Sequence, residues 1–500
     1  MADAAWMAAW AEGEPPGGRS LLSLPLEVLA RVAASLPTAD FGSLRLSCRS
    51  VERKLHAVFA HDFFTKKQFM VTENSLQALH DISESRLAVH LRHLHIGLER
   101  FPEGIHRPLP DEGKERRFKK RYADHFILWN TGGYREMLTD IFRNLPNLEH
   151  VVLRDFNSQK RLRDGADAQW TSYGSKTIFG ETGLLLGQAV DSSWGASLSL
   201  QFCSQVFALI LHALGVAGAE PKGIEVMARH GNRLRGFAFH IPSFIEPSVT
   251  PILNKLEKLH LSIDLTWRAH GPVWGPPGTS ASVSEHFLRN FLSQCTSLTS
   301  LRINEGYDQN PALEHLFDWL ASTADDVVPA PPALPNLQEL SFGFMNVHAA
   351  PLLHVIRRFA SSLRRLELWK VTLLRSLPPG DDAGDPPRLS FWLDFLSQLR
   401  AMPDLDLNLI MVGMAKQAYS HRPAEYKVSF ADLAKMRYAG PRWKDHLDNV
   451  MPTIQVKWPR HVTPDPIGIT AAFDGNGHDD DDDDDDDGSE HDVDTLNEPV

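Results

Sequence analysis

The chain has 500 residues, 43% hydrophobic and 23% charged, a balance that suits a globular protein with room for two or more domains or one elongated repeat array. Its net charge of −12 is local: residues 474–500 hold twelve Asp and two Glu with no Lys or Arg, and removing that −14 leaves +2 for residues 1–473. A body this near to neutral gives no charge argument for nucleic-acid binding.

The cysteines are Cys48, Cys203 and Cys295, odd in number and far apart. They offer neither zinc spacing nor a disulfide framework, which fits a reducing compartment. The first 20 residues lack the basic start of a secretory signal. The most apolar run, Val206 to Ala217, is too short to span a bilayer and contains His212. The expectation is an intracellular protein, cytoplasmic, nuclear or both, with neither membrane nor nucleic acid as a partner.

Residues 1–19, ending in EGEPPGGR, read as a disordered leader. Residues 20–65 read as a small helical segment. Its opening sets Leu22, Leu24, Pro25, Val28 and Leu29 close together, and Pro25 suits a first helical turn, where its missing N–H has no partner to lose. Leu26, Leu29 and Ala33 recur at helical spacing, as do Leu29, Val32 and Leu36. Pro37 and Thr38-Ala39-Asp40 break that helix, and Asp40 is placed to cap the next. The second helix carries Phe41, Leu44, Cys48 and Val51 on one side, while Leu46, Leu55, Val58 and Phe59 extend the apolar surface. So small a piece cannot bury all of these side chains by itself, so it should pair with something, either the rest of this chain, as an ordinary helical hairpin, or a partner.

The stretch SLPLEVLARVAASL followed by DFGSLRLSCRSV resembles the F-box in its fungal form. The pattern falls on Leu24, Pro25, Glu27, Val28, Leu29, Leu36, Asp40, Leu44, Cys48 and Arg49, and FFTKKQFMVTENSLQALHDIS after it also looks like fungal F-box proteins. The resemblance implies docking on a Skp-type adaptor and, through it, on a cullin ubiquitin ligase. The implied adaptor-binding set is Leu22, Leu24, Pro25, Glu27, Val28, Leu29, Leu36, Leu44 and Cys48. Val51 stands where many members carry Trp, and Ala33 and Ala34 stand where bulkier aliphatics are usual.

Residues 66–472 carry a recurring unit, aliphatic-x-x-aliphatic-x-aliphatic. It occurs as LRHLHI, LEHVVL, LRGFAF, LEKLHL, LTSLRI, LQELSF, LRRLELW and, from Met402 to Leu409, MPDLDLNL. The last two apolar positions alternate and so face one side of a strand. SEHFLRNFLSQC, PALEHLFDWLAS, LLHVIRRFASS and FWLDFLSQLRAM read as helices between strands. A helix after each strand makes a right-handed parallel coil with a continuous core. This resembles a leucine-rich repeat. The middle apolar residues Leu259, Leu301, Leu340, Leu366 and Leu405 are 42, 39, 26 and 39 residues apart, mostly longer than the roughly 20–29 of ordinary repeats. The alternative is a general α/β domain whose strands share the LxxLxL spelling.

Residues 102–121, 157–197 and 376–388 read as loop insertions. Residues 473–500, with Asp479 to Asp487 unbroken, read as a disordered acidic tail.

No phosphate-binding glycine loop and no nucleophile elbow is present, so the chain reads as non-catalytic, with no metal and no cofactor. His93 and His95 share a strand face and, with His90 nearby, read as a solvated surface rather than a metal cluster. Asp404 and Asp406 read as the exposed side of a strand, and Lys114–Arg121 (KERRFKKR) as a solvated loop that resembles a short nuclear-localisation patch. The residues between the strand leucines line the concave face of such a solenoid. They are His260, Arg302, Asn304, Glu339, Ser341, Arg365, Glu367 and Trp369, the candidate set for binding an unidentified protein substrate, with Trp369 either its anchor or tucked under a neighbouring loop.

The expected architecture is α/β: a small all-α F-box-like bundle, an irregular leucine-rich-repeat-like solenoid with a parallel sheet, and the acidic tail. The implied function is a non-catalytic substrate-recognition subunit of a Skp–cullin–F-box ubiquitin ligase. The alternative is a scaffolding repeat protein with a degenerate F-box, acting outside ubiquitination.

Overall fold

A computed structural model describes residues 21–458 except 103–110, 158–161, 166–169, 188–195, 230–231, 266–281, 307–310, 324–326, 378–386, 421 and 423. The leader and the acidic tail lie outside the described residues.

Three short helices open the described chain: α1 (Leu26–Ala34), α2 (Thr38–Leu46) and α3 (Arg49–Phe64). Pro25 and Pro37 stand immediately before α1 and α2, each in extended backbone that launches a helix. Asp40 is therefore in the first turn of α2 rather than at its cap, where its charge still favours the helix N-terminus. Leu29, Ala33, Phe41, Val51, Leu55 and Phe63 form the bundle's own core. The bundle is fixed to the larger body of the chain through Asp164, which accepts from the Thr38 N–H and hydroxyl at 2.6 Å each. Arg163 pairs with Asp62 at 3.2 Å and lies 5.0 Å from the Phe41 ring centroid.

Beyond Phe64, strand and helix alternate. The strands are β1 (Lys66–Met70), β2 (His93–Gly97), β3 (His150–Arg154), β4 (Gly223–Met227), β5 (Leu234–Arg235), β6 (Lys258–Asp264), β7 (Ser300–Asn304), β8 (Glu339–His348) and β9 (Arg365–Arg375). The helices among them are α4 (Glu73–Ser83), α5 (Glu112–Thr131), α6 (Gly133–Arg143), α7 (Ser175–Thr182), α8 (Ala196–Ala217), α9 (Glu246–Lys255), α10 (Ser282–Ser293), α11 (Pro311–Ala321) and α12 (Ala349–Phe359). After β9 come α13 (Phe391–Arg400), β10 (Leu409–Gly413), β11 (Lys416–Tyr419), β12 (Glu425–Phe430), β13 (Lys435–Ala439), α14 (Trp443–Val450) and β14 (Ile454–Val456).

One 14-stranded sheet results. Strands β1, β2, β3, β4, β6, β7, β8 and β9 pair in that order, all parallel, and β9 is long enough to pair with β10 and then β11. β12, β13 and β14 add antiparallel pairing beyond β9. The register aligns Leu94, Val151, Ile224, Leu259, Leu301, Leu340, Leu366 and Ile410 in one row. All eight are buried against the helices, so one core runs the length of the sheet. Helices along this face close it with stripes at helical spacing, as Leu352, Leu353, Ile356 and Phe359 do on α12, whereas Phe118 of α5 and Ile178 of α7 pack in a separate cluster with Met70, Phe101 and Leu186.

Several expectations are overturned. KERRFKKR is no loop: Asp111 accepts from the N–H groups of Gly113 and Lys114 and caps α5, which runs through the whole patch and buries Phe118. Residues 157–197 contain α7 and the start of α8, and α8 carries Val206–Ala217 into the core. LRGFAF makes only two residues of strand before a 3-10 turn over Gly236–Phe239. In MPDLDLNL, Leu405 and Leu407 are buried on the way into β10, and Ile410 takes the place in the row expected of Leu405. Asp404 and Asp406 are exposed, but in that lead-in rather than in a strand.

Candidate functional site: two interaction surfaces

The first surface is on the three-helix bundle. At 100° per residue, the apolar positions Val28, Val32, Leu29, Ala33 and Leu26 of α1 span an arc of about 160°. A bundle this small buries only the middle of that arc. Leu29 and Ala33 are fully buried, whereas Leu26, Val28 and Val32 are 47%, 43% and 38% exposed. Pro25 and Glu27 are exposed beside them, and Leu46 at the end of α2 is 72% exposed. Among the sequence candidates, Leu29 is thus a core residue and not a surface contact. Leu36 and Leu44 pack against the bundle core, Leu24 is half-buried, Cys48 is exposed at the start of α3, and the Leu22 side chain is outside the described residues. Leu26, Val32 and Leu46 join Val28 as exposed apolar positions, Val28 and Val32 on one edge of the arc and Leu26 on the other. Val32 was legible from its four-residue spacing to Val28.

The second surface is the face of the sheet turned away from the buried row. Its two halves differ. Toward β1 it is closed. Arg154 Nε donates to Gln68 Oε1 (2.6 Å), Gln68 Nε2 donates to Ser172 Oγ (2.7 Å), and Ser172 Oγ donates to Glu99 Oε1 (2.5 Å), all four residues buried. Glu225 on β4 faces Lys258 Nζ (3.1 Å), His260 Nδ1 (3.0 Å) and His150 Nδ1 (3.5 Å). Burial works to raise the Glu225 pKa, but the two imidazoles and the ammonium outweigh it and hold the carboxyl well below its usual range. His95 and His260 are buried, and burial lowers both below the ordinary histidine value. His95 is therefore no solvated position, and His260, though on the expected face, is covered.

From β7 onward the face opens. Arg302, Ser341 and Glu367 align across β7, β8 and β9, as do Glu339 and Arg365 one step earlier. Arg302 pairs with Glu367 (3.1 Å), and Arg365 with Glu339 (2.5 Å). One step later the row reads Asn304, Gly343, Trp369, Gly413 and Lys435. The half-buried Trp369 ring lies across Gly413 so closely that a Cβ there would collide with the ring carbons. Lys435 Nζ stands 5.5 Å from the Trp369 ring centroid. The residues just past this row, Phe344, Lys370 and Met414, all take left-handed backbone with φ of 56°, 53° and 52°. Such backbone costs about 1–2 kcal/mol per non-glycine residue, so the flanking strands hold three strained steps side by side. Of the eight candidates on this face, seven are at least partly accessible and His260 is not.

One constellation has the order of a nucleophile, base and acid. Ser420 Oγ is 3.2 Å from His348 Nε2, and His348 Nδ1 is 2.5 Å from Glu314 Oε1. Glu314 Oε1 also accepts the His348 backbone N–H (3.1 Å), and Ser420 is buried, so the trio ties α11, the end of β8 and the segment after β11 together. The Glu314 contact raises the His348 pKa, and the same contact lowers that of Glu314. Among the described residues, no group of three or more His, Cys, Asp or Glu side chains is arranged to hold a metal, and no helix is long and apolar enough to cross a membrane.

Comparison with known proteins adds one local match. The family model for the F-box domain matches residues 21–54. No curated protein matches the chain. Among solved structures, a chain of the crystal structure of the Rad7 and Elc1 complex in yeast is similar at 14% identity over 80% of this chain and 91% of that one, with a TM-score of 0.23. At that score the likeness carries no argument. The segment that places Leu26, Val28 and Val32 in solvent is thus the segment that matches the F-box domain.

Proposed function

We propose that this chain is the non-catalytic substrate-recognition subunit of a Skp–cullin–F-box ubiquitin ligase. The carrying observation is that Val28 and Val32, one turn apart, and Leu26 at the other edge of the apolar arc are left exposed on a helical segment that matches the F-box domain. Apolar side chains left in water on both edges of a well-filled core mark a docking surface in want of a partner. A Skp-type adaptor is that partner, and a cullin is reached through it. The β7–β9 part of the open sheet face, with Arg302, Asn304, Glu339, Ser341, Arg365, Glu367 and Trp369, receives the protein substrate in a leucine-rich-repeat-like manner. Of the departures behind the scaffold alternative, Val51 and Ala33 are core residues, whereas Ala34 is exposed on α1. The test is titration of a purified Skp-type adaptor into wild type and Leu26→Asp/Val28→Asp. Saturable binding by wild type that the double variant loses supports the reading, and absent or equal binding sinks it.

A further inference from the structure

We propose that the open sheet face takes a peptide segment that sets acidic residues beside one large apolar side chain. This rests on the reading that substrate binds there. The first observation is charge. Arg302 and Arg365 are already neutralised by Glu367 and Glu339. Lys435 and Arg437 are the exposed alternate residues of β13, and the register carries them onto the same rows as Trp369 and Glu367. Among the described residues, no carboxylate lies within ion-pair distance of Lys370, Lys435 or Arg437. The end of the face beyond β9 is therefore positive.

The second observation is where these cations sit. Lys435 Nζ is 5.5 Å from the Trp369 ring centroid, and Lys370 Nζ is 5.3 Å from that of Phe344. Attraction to a ring face holds an ammonium over an apolar surface without cancelling its charge. Met414, 43% exposed, belongs to the same strained row as Phe344 and Lys370. A ligand thus meets apolar surface and unpaired positive charge within one or two residue spacings. Carboxylates on the cations and an apolar side chain against Trp369 and Met414 complement both. A nucleic acid fits less well, because Glu339 and Glu367 stand in the same strip.

The test is selection of a displayed random peptide library on the immobilised full chain. The inference expects enriched peptides to carry Asp or Glu next to Trp, Phe, Leu or Met. Their affinity should fall about tenfold or more in Lys435→Glu/Arg437→Glu and weaken as salt rises. The milder Lys435→Gln/Arg437→Gln pair, checked for an unchanged melting curve, should give a smaller loss in the same direction. Gly413→Ala, which pushes on the Trp369 ring, should relax the apolar preference and keep the acidic one. Enriched peptides without acids, whose capture Trp369→Ala abolishes, would overturn the acidic assignment and leave the face as the binding site. Enrichment indifferent to Trp369→Ala and to both charge variants, or none at all, would overturn the face as well. Displacement of bound peptide by a single-stranded oligonucleotide, with tighter oligonucleotide binding, would transfer the face to nucleic acid and overturn the peptide inference.

Discussion

The bundle and the sheet treat apolar side chains differently. In β7, β8 and β9, strict alternation sends Leu301, Leu340 and Leu366 into the core and Arg302, Ser341 and Glu367 to the other side. In α1 the apolar arc is wider than the bundle can cover, so Leu29 goes in while Leu26, Val28 and Val32 stay out. The lesson is that one apolar pattern serves two ends. Apolar residues on the sheet hold the fold, and Leu26, Val28 and Val32 at the edges of the α1 arc stay free for the proposed adaptor.

Leu366→Ala should cost about 2–5 kcal/mol in chemical unfolding, because it opens a cavity in the continuous row. Glu225→Ala should cost about 1–3 kcal/mol, since it removes the buried carboxylate that faces Lys258 and His260, whereas Glu367→Ala on the open half should cost under about 1 kcal/mol. Similar losses for the two glutamates would erase the division of the face into closed and open halves.

Leu26→Asp/Val28→Asp should weaken adaptor binding by about 2 kcal/mol or more with an unchanged melting curve. Leu29→Ala should do the reverse in order of cause, unfolding the bundle first and losing the adaptor as a consequence. If Leu29→Ala leaves melting untouched, the inward and outward positions of α1 are wrongly assigned.

The smallest effect concerns pH. Because His348 has a raised pKa, its pairing stabilises fully below the ordinary histidine value of 6.5 and is lost as pH rises through the raised value. Because Glu314 has a lowered pKa, its share is present above the ordinary value of 4.5 and is lost as pH falls through the lowered one. The pair is therefore strongest between those two ordinary values. His348→Ala should lower the melting temperature most in that window and least in alkaline buffer; a loss independent of pH would show that His348 acts by packing alone.

The strand leucines and the register they impose were legible because alternation at period two has one solution when helices cover one face. The arginine, glutamate and tryptophan positions between them followed at once. What was hidden has physical causes. Gly223–Met227 and Lys66–Met70 lack the LxxLxL spelling, so β4 and β1 carry no repeat signature. Helix α5 looked like a loop because its surface is basic; the Asp111 cap and Gly132, at φ 82°, were its only punctuation. His260 and His95 were placed on the correct face but not seen to be buried, because cover comes from neighbours distant in sequence, such as Glu225 and Arg154. In the bundle, spacing revealed that α1 was amphipathic, but not which of Leu29 and Leu26 would turn inward.

In the proposed function the exposed edges of α1 belong to an adaptor and the open sheet face does not. Hydrogen exchange of the full chain with and without saturating Skp-type adaptor measures this directly. The account predicts slowed exchange concentrated in residues 21–54, with β7, β8, β9 and β13 unchanged. Protection on the sheet, or none in residues 21–54 at saturation, would contradict it.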